Sequence, residues 1–136
     1  MARSLLVDTG FLVALLNRTD NNHGWAVAEA TRWPPPWETC EAVLSEAFHL
    51  LGGSGGRSLI ALLRRGAVVI VFRFVEDIDA VLRLSEKYAG VPMSFADACL
   101  VRMTETRNDP VLLTTDSDFR IYRRYGRQTI PCVMPR

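Results

Sequence analysis

Short apolar runs alternate along the chain with longer segments in which apolar residues recur every three or four positions. The short runs predict buried strands at 4–7, 67–72 and 111–114. A last run, 129–134, predicts an edge strand, because Pro131 lacks the N–H that a central strand must donate. The periodic segments predict helices over 9–18, 23–32, 39–51, 57–65, 75–88, 95–106 and 118–125. Strands separated by helices are typical of an α/β protein with a mainly parallel sheet covered on both faces.

Two segments interrupt this pattern. The stretch WPPPW at 33–37 excludes helix and favours an extended connection, and GGSGG at 52–56 predicts a flexible break between two helices. Both segments are too short to be interdomain linkers, and the sequence shows no internal repeat. With 136 residues, of which 49% are hydrophobic, the chain can bury one core, so we expect a single domain spanning residues 1–136.

Charge and cysteine usage narrow the class of protein. The net charge is +1, so any contact with nucleic acid must come from a local patch rather than from the overall field. The three cysteines are far apart and form no CxxC pair, which argues against a zinc site or a disulfide framework and fits a reducing cytoplasm. The apolar run 5–16 is broken by Asp8, and no segment is long enough to span a bilayer. We therefore expect a cytoplasmic protein without membrane association.

Two aspartates lie where predicted strands end. Asp8 follows the first strand, and Asp116 follows the strand at 111–114. In parallel α/β sheets, ligands bind outside the carboxyl ends of the strands, which makes both residues candidates for a site. Each residue also has a structural interpretation, since Asp8 can cap a helix and Asp116 lies in a first turn where the helix dipole favours an anion.

Other acidic residues share this ambiguity. Ser94 with Asp97, and Thr115 with Asp118, each have the spacing of a capping box. Glu46 falls within the apolar stripe of the helix at 39–51, where a carboxylate is costly unless it is paired, protonated or bound to metal. Alternatively, Glu46 lies at the edge of the stripe with its carboxylate in water. At this level the helix-start and site interpretations both stay open.

The combination favours a metal site. Asp8, Glu46, Asp97 and Asp116 can converge at one end of a parallel sheet. Two carboxylates about 5 Å apart repel by roughly 3 kcal/mol at an effective dielectric near 20, so such a cluster requires protonation or a cation. Oxygen ligands without His or Cys favour Mg²⁺ or Mn²⁺ over zinc, and such ions suit phosphoryl substrates.

Four segments also carry a family resemblance. In order, they are LLVDTGFLVALLNRTDNNH, TCEAVLSEAFHLL, KYAGVPMSFADACLV and LLTTDSDFRIYR. The set covers nearly the whole chain and resembles the PIN-domain ribonucleases, specifically the VapC-type toxins of toxin–antitoxin pairs. The resemblance implies a three-layer α/β/α sandwich around a mainly parallel sheet of four to five strands. It also implies Mg²⁺- or Mn²⁺-dependent hydrolysis of RNA.

The same resemblance assigns roles to individual residues. Catalytic and metal-binding roles fall on Asp8, Glu46, Asp97 and Asp116, with Asp118 as a further candidate ligand. Thr9 and Thr115 match positions where the family often has a hydroxyl near the site. The sequence departs from the pattern at Gly10, where many members carry Ser or Asn, and at Gly90 and Ser94, where close relatives often have Asp. These departures reduce the number of acidic groups expected around the site, and they bear mainly on the affinity for a second metal ion.

Partners and alternatives complete the prediction. Arg120, Arg123 and Arg124 follow the last acidic pair and are candidates for contacts with RNA phosphates, or else form a solvated basic face. The resemblance implies a homodimer and a small antitoxin protein. The alternative to an enzyme is a catalytically silent PIN-fold module that binds RNA or protein. A haloacid-dehalogenase-type phosphatase is disfavoured because it needs a second aspartate at the position of Gly10.

Overall fold

The computed structural model describes residues 2–136 and contains a five-stranded parallel sheet. In chain order the strands are β1 (Ser4–Val7), β2 (Trp37–Thr39), β3 (Val68–Ile70), β4 (Pro110–Leu113), β5 (Arg123–Arg124), β6 (Gln128–Thr129) and β7 (Cys132–Val133). The sheet has the order β3-β2-β1-β4-β7, while β5 and β6 form a separate antiparallel hairpin. The last strand of the chain, β7, is therefore an edge strand of the sheet and pairs with β4.

Five α-helices connect these strands within residues 2–136. They are α1 (Thr9–Leu16), α2 (His23–Arg32), α3 (Glu41–Arg64), α4 (Ile78–Lys87) and α5 (Phe95–Thr106). Two short 3₁₀ helices cover Phe74–Glu76 and Ser117–Arg120. None of the helices in this part of the chain combines the length and the apolar character needed to cross a bilayer.

The strand order divides the helices into two layers. The chain runs outward from β1 to β2 and β3, then crosses back to place β4 on the other side of β1. Because parallel crossovers are right-handed, the reversal puts α1, α2 and α3 on one face of the sheet and α4 and α5 on the other. Accordingly α1 contacts α2 and α3, and α4 contacts α5. The predicted three-layer α/β arrangement around a parallel sheet is confirmed.

The reversal of strand order lies between β1 and β4, where ligands bind in open α/β sheets. Val7 is the register partner of Leu113, and the next amide, that of Asp8, donates to the Leu113 carbonyl oxygen at 3.1 Å. The residues that follow the two strands therefore begin side by side at the same edge. Both strand ends are anchored in the core, since Val7 and Leu113 are fully buried.

Three local predictions were wrong, and a fourth, the helix break at GGSGG, holds at one residue. Residues 37–39, predicted as the end of an extended connection and the start of a helix, form β2, and Cys40 precedes α3 as its cap residue. The break predicted at GGSGG is present at Gly52, whose φ of 66° and ψ of −153° are not helical, so α3 consists of two helices joined at a kink, and residues 53–56 belong to the second. The segment 118–125, predicted as a helix, forms a 3₁₀ turn and then β5. The run predicted as one edge strand at 129–134 is divided between β6 and β7.

Candidate metal centre

Three carboxylates converge at the carboxyl ends of the strands, where the strand order reverses. One oxygen atom from each of Asp8, Asp97 and Asp116 lies within 4.8 Å of the others. Asp8 directly follows β1, Asp97 is the third residue of α5, and Asp116 lies three residues beyond β4. Asp8 and Asp97 are each only 6% exposed, and Asp116 is half-buried. All three are predicted from the sequence as site residues, and the structure brings them together.

The same three aspartates also begin helices. Asp8 caps α1, since its Oδ1 accepts from the Thr9 amide at 2.6 Å. Asp97 forms a capping box with Ser94: its amide donates to Ser94 Oγ at 3.0 Å, and its Oδ2 accepts from the Ser94 amide at 3.3 Å. Asp116 Oδ1 accepts from the Asp118 amide at 2.9 Å. The two interpretations are therefore compatible, because capping fixes each carboxylate at its helix start and the fold then brings the helix starts together.

A buried hydroxyl joins the Asp8 carboxylate to the backbone of Asp116. Thr114 Oγ1 donates to Asp8 Oδ2 at 2.7 Å and accepts from the Asp116 amide at 3.0 Å, and Thr114 has no exposed surface. Thr114 is not among the site residues predicted from the sequence. The sequence alone does not distinguish it from Thr115, because the residue after Leu113 lies beside Asp8 only once the register pairs Val7 with Leu113.

A buried tyrosine contacts the third carboxylate. Tyr122 Oη donates to Asp97 Oδ2 at 3.0 Å, and Tyr122 is fully buried. Burial and the charge of Asp97 both raise the pKa of the phenol, so it acts as a hydrogen-bond donor. Tyr122 is not among the site residues predicted from the sequence, since the pattern of residues 118–125 predicts a basic helix.

Glu46 and Asp118 lie outside the three-carboxylate group. Glu46 is exposed rather than directed into the core, and its Oε2 accepts from Thr9 Oγ1 at 3.0 Å. Since the Thr9 amide binds Asp8, Thr9 links Glu46 to the edge of the group. Asp118 is half-buried and supports Asp116 through its backbone amide. The structure thus confirms neither residue as a member of the ligand set, and their assignment stays a prediction.

The electrostatics of the group favour a cation. Burial, followed by the charges of Asp97 and Asp116, raises the pKa of Asp8 from 3.8 to about 6, against hydrogen bonds from Thr114 and Thr9 that lower it. Burial also raises the pKa of Asp97, with a smaller contribution from Asp116. Within residues 2–136, no arginine, lysine or histidine forms an ion pair with any of the three.

The donor set fits a hard divalent cation. It consists of carboxylate oxygens alone, which Mg²⁺ and Mn²⁺ accept and which zinc rarely uses without nitrogen or sulfur ligands. Two charges 4.8 Å apart repel by about 3 kcal/mol at an effective dielectric near 20, and a bound cation would remove that cost. The residues present therefore fit such an ion.

Comparison with known proteins agrees with this geometry. The PIN domain family profile matches residues 5–125. The chain belongs to the PIN domain family. The crystal structure of Mycobacterium tuberculosis VapC20, described as a sarcin–ricin loop cleaving toxin, is similar with a TM-score of 0.74. The two sequences are 24% identical, and the match covers 85% of this chain and 92% of that one. No curated protein sequence matches the chain.

One departure of this PIN domain from its family pattern has a steric cause. Gly10 stands where many members carry Ser or Asn, and a Cβ atom built there would lie 1.9 Å from Thr115 Oγ1 and 3.1 Å from Thr115 Cβ. The side chain of Thr115 therefore fills the space that a residue at position 10 would use. The predicted supporting hydroxyl of Thr115 lies against α1, while Thr114 provides the hydroxyl that binds the Asp8 carboxylate.

The arginines that follow the PIN-domain site differ in how they are used. Arg123 donates from one Nη to the carbonyls of residues 120, 121 and 122, and Arg124 donates to the Thr104 carbonyl. Arg120 is exposed, and its guanidinium makes no hydrogen bond or ion pair to residues 2–136. Of the three predicted RNA contacts, Arg120 has the freest side chain, and contact with RNA stays a prediction for all of them.

Proposed function

We propose that this PIN-domain protein is a metal-dependent endoribonuclease and the toxin of a toxin–antitoxin pair. The observation that carries the proposal is the convergence of three carboxylates without a basic partner at the reversal of strand order. The fold similarity to VapC20, which is described as a sarcin–ricin loop cleaving toxin, supports RNA as the substrate class. The alternative, a silent PIN-fold binding module, does not explain why buried carboxylates with raised pKa values are held together.

Asp8, Asp97 and Asp116 would hold the ion, which we propose to be Mg²⁺ or Mn²⁺. When bound, such an ion neutralises charge on the scissile phosphate and makes water a better nucleophile. The caps on all three aspartates and the Thr114 hydroxyl fix the carboxylates before substrate arrives, which lowers the reorganisation needed for reaction.

Glu46 is suited to proton transfer rather than to holding the ion. Its Oε2 is bound by the Thr9 hydroxyl, and its Oε1 accepts no hydrogen bond from residues 2–136. An exposed carboxylate that is oriented through one oxygen can take a proton from attacking water through the other. In this proposal Thr9 positions Glu46, and Asp118 acts only through the backbone of the turn that carries Asp116.

We also propose partners and a setting. Arg120, exposed next to the acidic turn, would contact RNA phosphate. Apolar side chains at Val75, Ile78 and Leu82 are exposed on and before α4 and support a protein interface, either of a homodimer or with an antitoxin. Such a pair would act in the cytoplasm, where RNA and a reducing environment coincide.

The proposal is tested by RNA cleavage with a matched pair of variants. Asp116→Asn keeps the capping oxygen but removes a charge from the centre, whereas Asp109→Asn removes an exposed charge paired with Arg3 at the other end of the sheet. Mutation of a residue that only orients a metal ligand lowers metal affinity or activity about 10–100-fold. Asp116 is itself a proposed ligand, so we expect Asp116→Asn to lower the rate of Mg²⁺-dependent cleavage of total cellular RNA by more than about a hundredfold.

Asp109→Asn should cleave like the wild type. Undiminished cleavage by Asp116→Asn would refute the assignment of the centre. If the wild type shows neither Mg²⁺-dependent cleavage nor metal binding that depends on Asp116, the silent binding module is the better description.

A further inference from the structure

Tyr122 has a single polar side-chain atom, and that atom is directed at the centre. Its ring is fully buried and packs edge-to-face against Phe119 and Tyr88, with centroid distances of 5.2 Å in both cases. These contacts leave the ring little freedom to turn or shift. The Tyr122 hydroxyl therefore reaches Asp97 Oδ2, 3.0 Å away, from a fixed position.

The hydrogen bonds on Asp97 are unevenly distributed. Its Oδ2 accepts from both the Tyr122 hydroxyl and the Ser94 amide, whereas its Oδ1 accepts from no group in residues 2–136. An oxygen that already accepts two hydrogen bonds is a poorer ligand for a cation than a free oxygen on the same carboxylate. The arrangement leaves Oδ1 as the atom with capacity for an ion.

We infer that Tyr122 is a positioning residue, which orients Asp97 to offer Oδ1 alone to the metal ion. This inference rests on the proposed function, because it concerns the same centre. It deepens that function by giving a role to the 3₁₀ turn and the β5 segment. Residues 117–124 hold Asp116 at one end and, through Tyr122, restrain Asp97.

Metal binding can be measured directly to test this role. Metal-free protein is titrated with Mn²⁺, and free Mn²⁺ is followed by electron paramagnetic resonance. Tyr122→Phe keeps the ring and removes only the hydroxyl, so we expect Mn²⁺ affinity to fall about tenfold, as for other residues that orient a ligand. Most of the cleavage rate should return at saturating Mn²⁺, because the ligand itself remains.

Tyr88→Phe is the matched control. Tyr88 belongs to the same aromatic cluster, but its hydroxyl accepts from the Arg123 amide at 2.9 Å and reaches no carboxylate. Its Mn²⁺ affinity should stay within about twofold of the wild type, well short of the loss expected for an orienting residue. Circular dichroism and thermal melting of both variants without metal confirm that each folds.

The outcomes separate the inference from the proposed function. Wild-type Mn²⁺ affinity in Tyr122→Phe, alongside lost affinity in Asp97→Asn, overturns the role of Tyr122 and leaves the metal centre in place. An equal loss in Tyr88→Phe also overturns it, because aromatic packing then explains the effect. If the wild type binds Mn²⁺ with the expected pattern but cleaves no RNA, the positioning role stands and the ribonuclease proposal fails. If Asp97→Asn binds Mn²⁺ like the wild type, both the positioning role of Tyr122 and the proposed metal centre are wrong.

Discussion

Carboxylates at the two ends of the sheet differ in whether they have a cationic partner within the chain. Toward the amino ends of the strands, Glu38 receives two hydrogen bonds from the Arg107 guanidinium, at 2.8 and 3.0 Å, and Asp109 receives one from Arg3 at 2.9 Å. At the carboxyl ends, Asp8 and its two neighbours have hydroxyl, amide and phenol donors but no cation. The first end is neutralised within the chain, and the second is not.

This difference separates carboxylates that stabilise the fold from carboxylates that lower its stability. A bidentate arginine contact satisfies a half-buried carboxylate within the chain, and the hydrogen bonds to Glu38 in turn raise the pKa of Arg107. Hydrogen bonds from neutral donors orient the carboxylates at the other end but leave their mutual repulsion in place. The carboxyl end therefore carries a penalty that only protons or an external cation can remove.

The largest expected effect is a pH-dependent penalty from Asp8. Its pKa is raised from 3.8 to about 6, so the native state binds the proton more tightly than the unfolded chain does. The Asp8 contribution is therefore fully favourable below about pH 3.8 and is lost as pH rises to about 6, by about 3 kcal/mol at most. Saturating Mg²⁺ should restore stability at about pH 7.5 and have little effect at about pH 4, as measured by thermal unfolding.

The control for this experiment is Asp8→Asn, in which the loss of stability assigned to Asp8 between about pH 3.8 and pH 6 should be absent. A Mg²⁺ effect of equal size at both pH values would contradict the assignment, because it would place the ion at groups that do not compete for protons in this range.

A second prediction sets the two ends directly against each other. In metal-free protein at neutral pH, Asp8→Asn should raise the free energy of unfolding by about 2 kcal/mol, since it removes a buried charge while keeping a capping oxygen. Glu38→Gln should lower it by about 1 kcal/mol, since the Arg107 guanidinium loses its half-buried partner. Urea unfolding of both variants measures the two values. The contrast fails if the changes share a sign.

Much of this comparison could be predicted from the sequence, because strand ends and apolar periodicity are local signals. Asp8 and Asp116 follow apolar runs, and a parallel sheet brings such ends together. What could not be predicted depends on register and on long-range contacts. Choosing Thr114 over Thr115 requires the pairing of Val7 with Leu113, and a shift of one residue reverses the choice.

Two other features gave no local signal at all. The three residues of β2 follow a proline block and are too few to show an alternating pattern. Tyr122 contacts Asp97 across 25 residues of sequence, and the basic residues around it favoured a helix that does not form. Isolated helix propensity was overridden there by the hairpin of β5 and β6.

The smallest expected effect concerns packing beside the acidic centre. Gly10 and Gly24 are each the second residue of a helix, α1 and α2. A Cβ at Gly10 would meet Thr115 Oγ1 at 1.9 Å, whereas a Cβ at Gly24 has no atom within 4 Å. Gly10→Ala should therefore lower the free energy of unfolding by about 1 kcal/mol through overpacking. Gly24→Ala should raise it by about 0.5 kcal/mol through helix propensity.

A double-mutant cycle with Thr115→Ala tests whether the contact with Thr115 causes the different effects of Gly10→Ala and Gly24→Ala. Removing the Thr115 hydroxyl clears the closest contact, so Gly10→Ala should cost at most half as much in the Thr115→Ala background as in the wild type. Gly24→Ala should have the same effect in both backgrounds, because its position has no contact with Thr115. If the cost of Gly10→Ala is unchanged by Thr115→Ala, the steric account of glycine at position 10 is wrong.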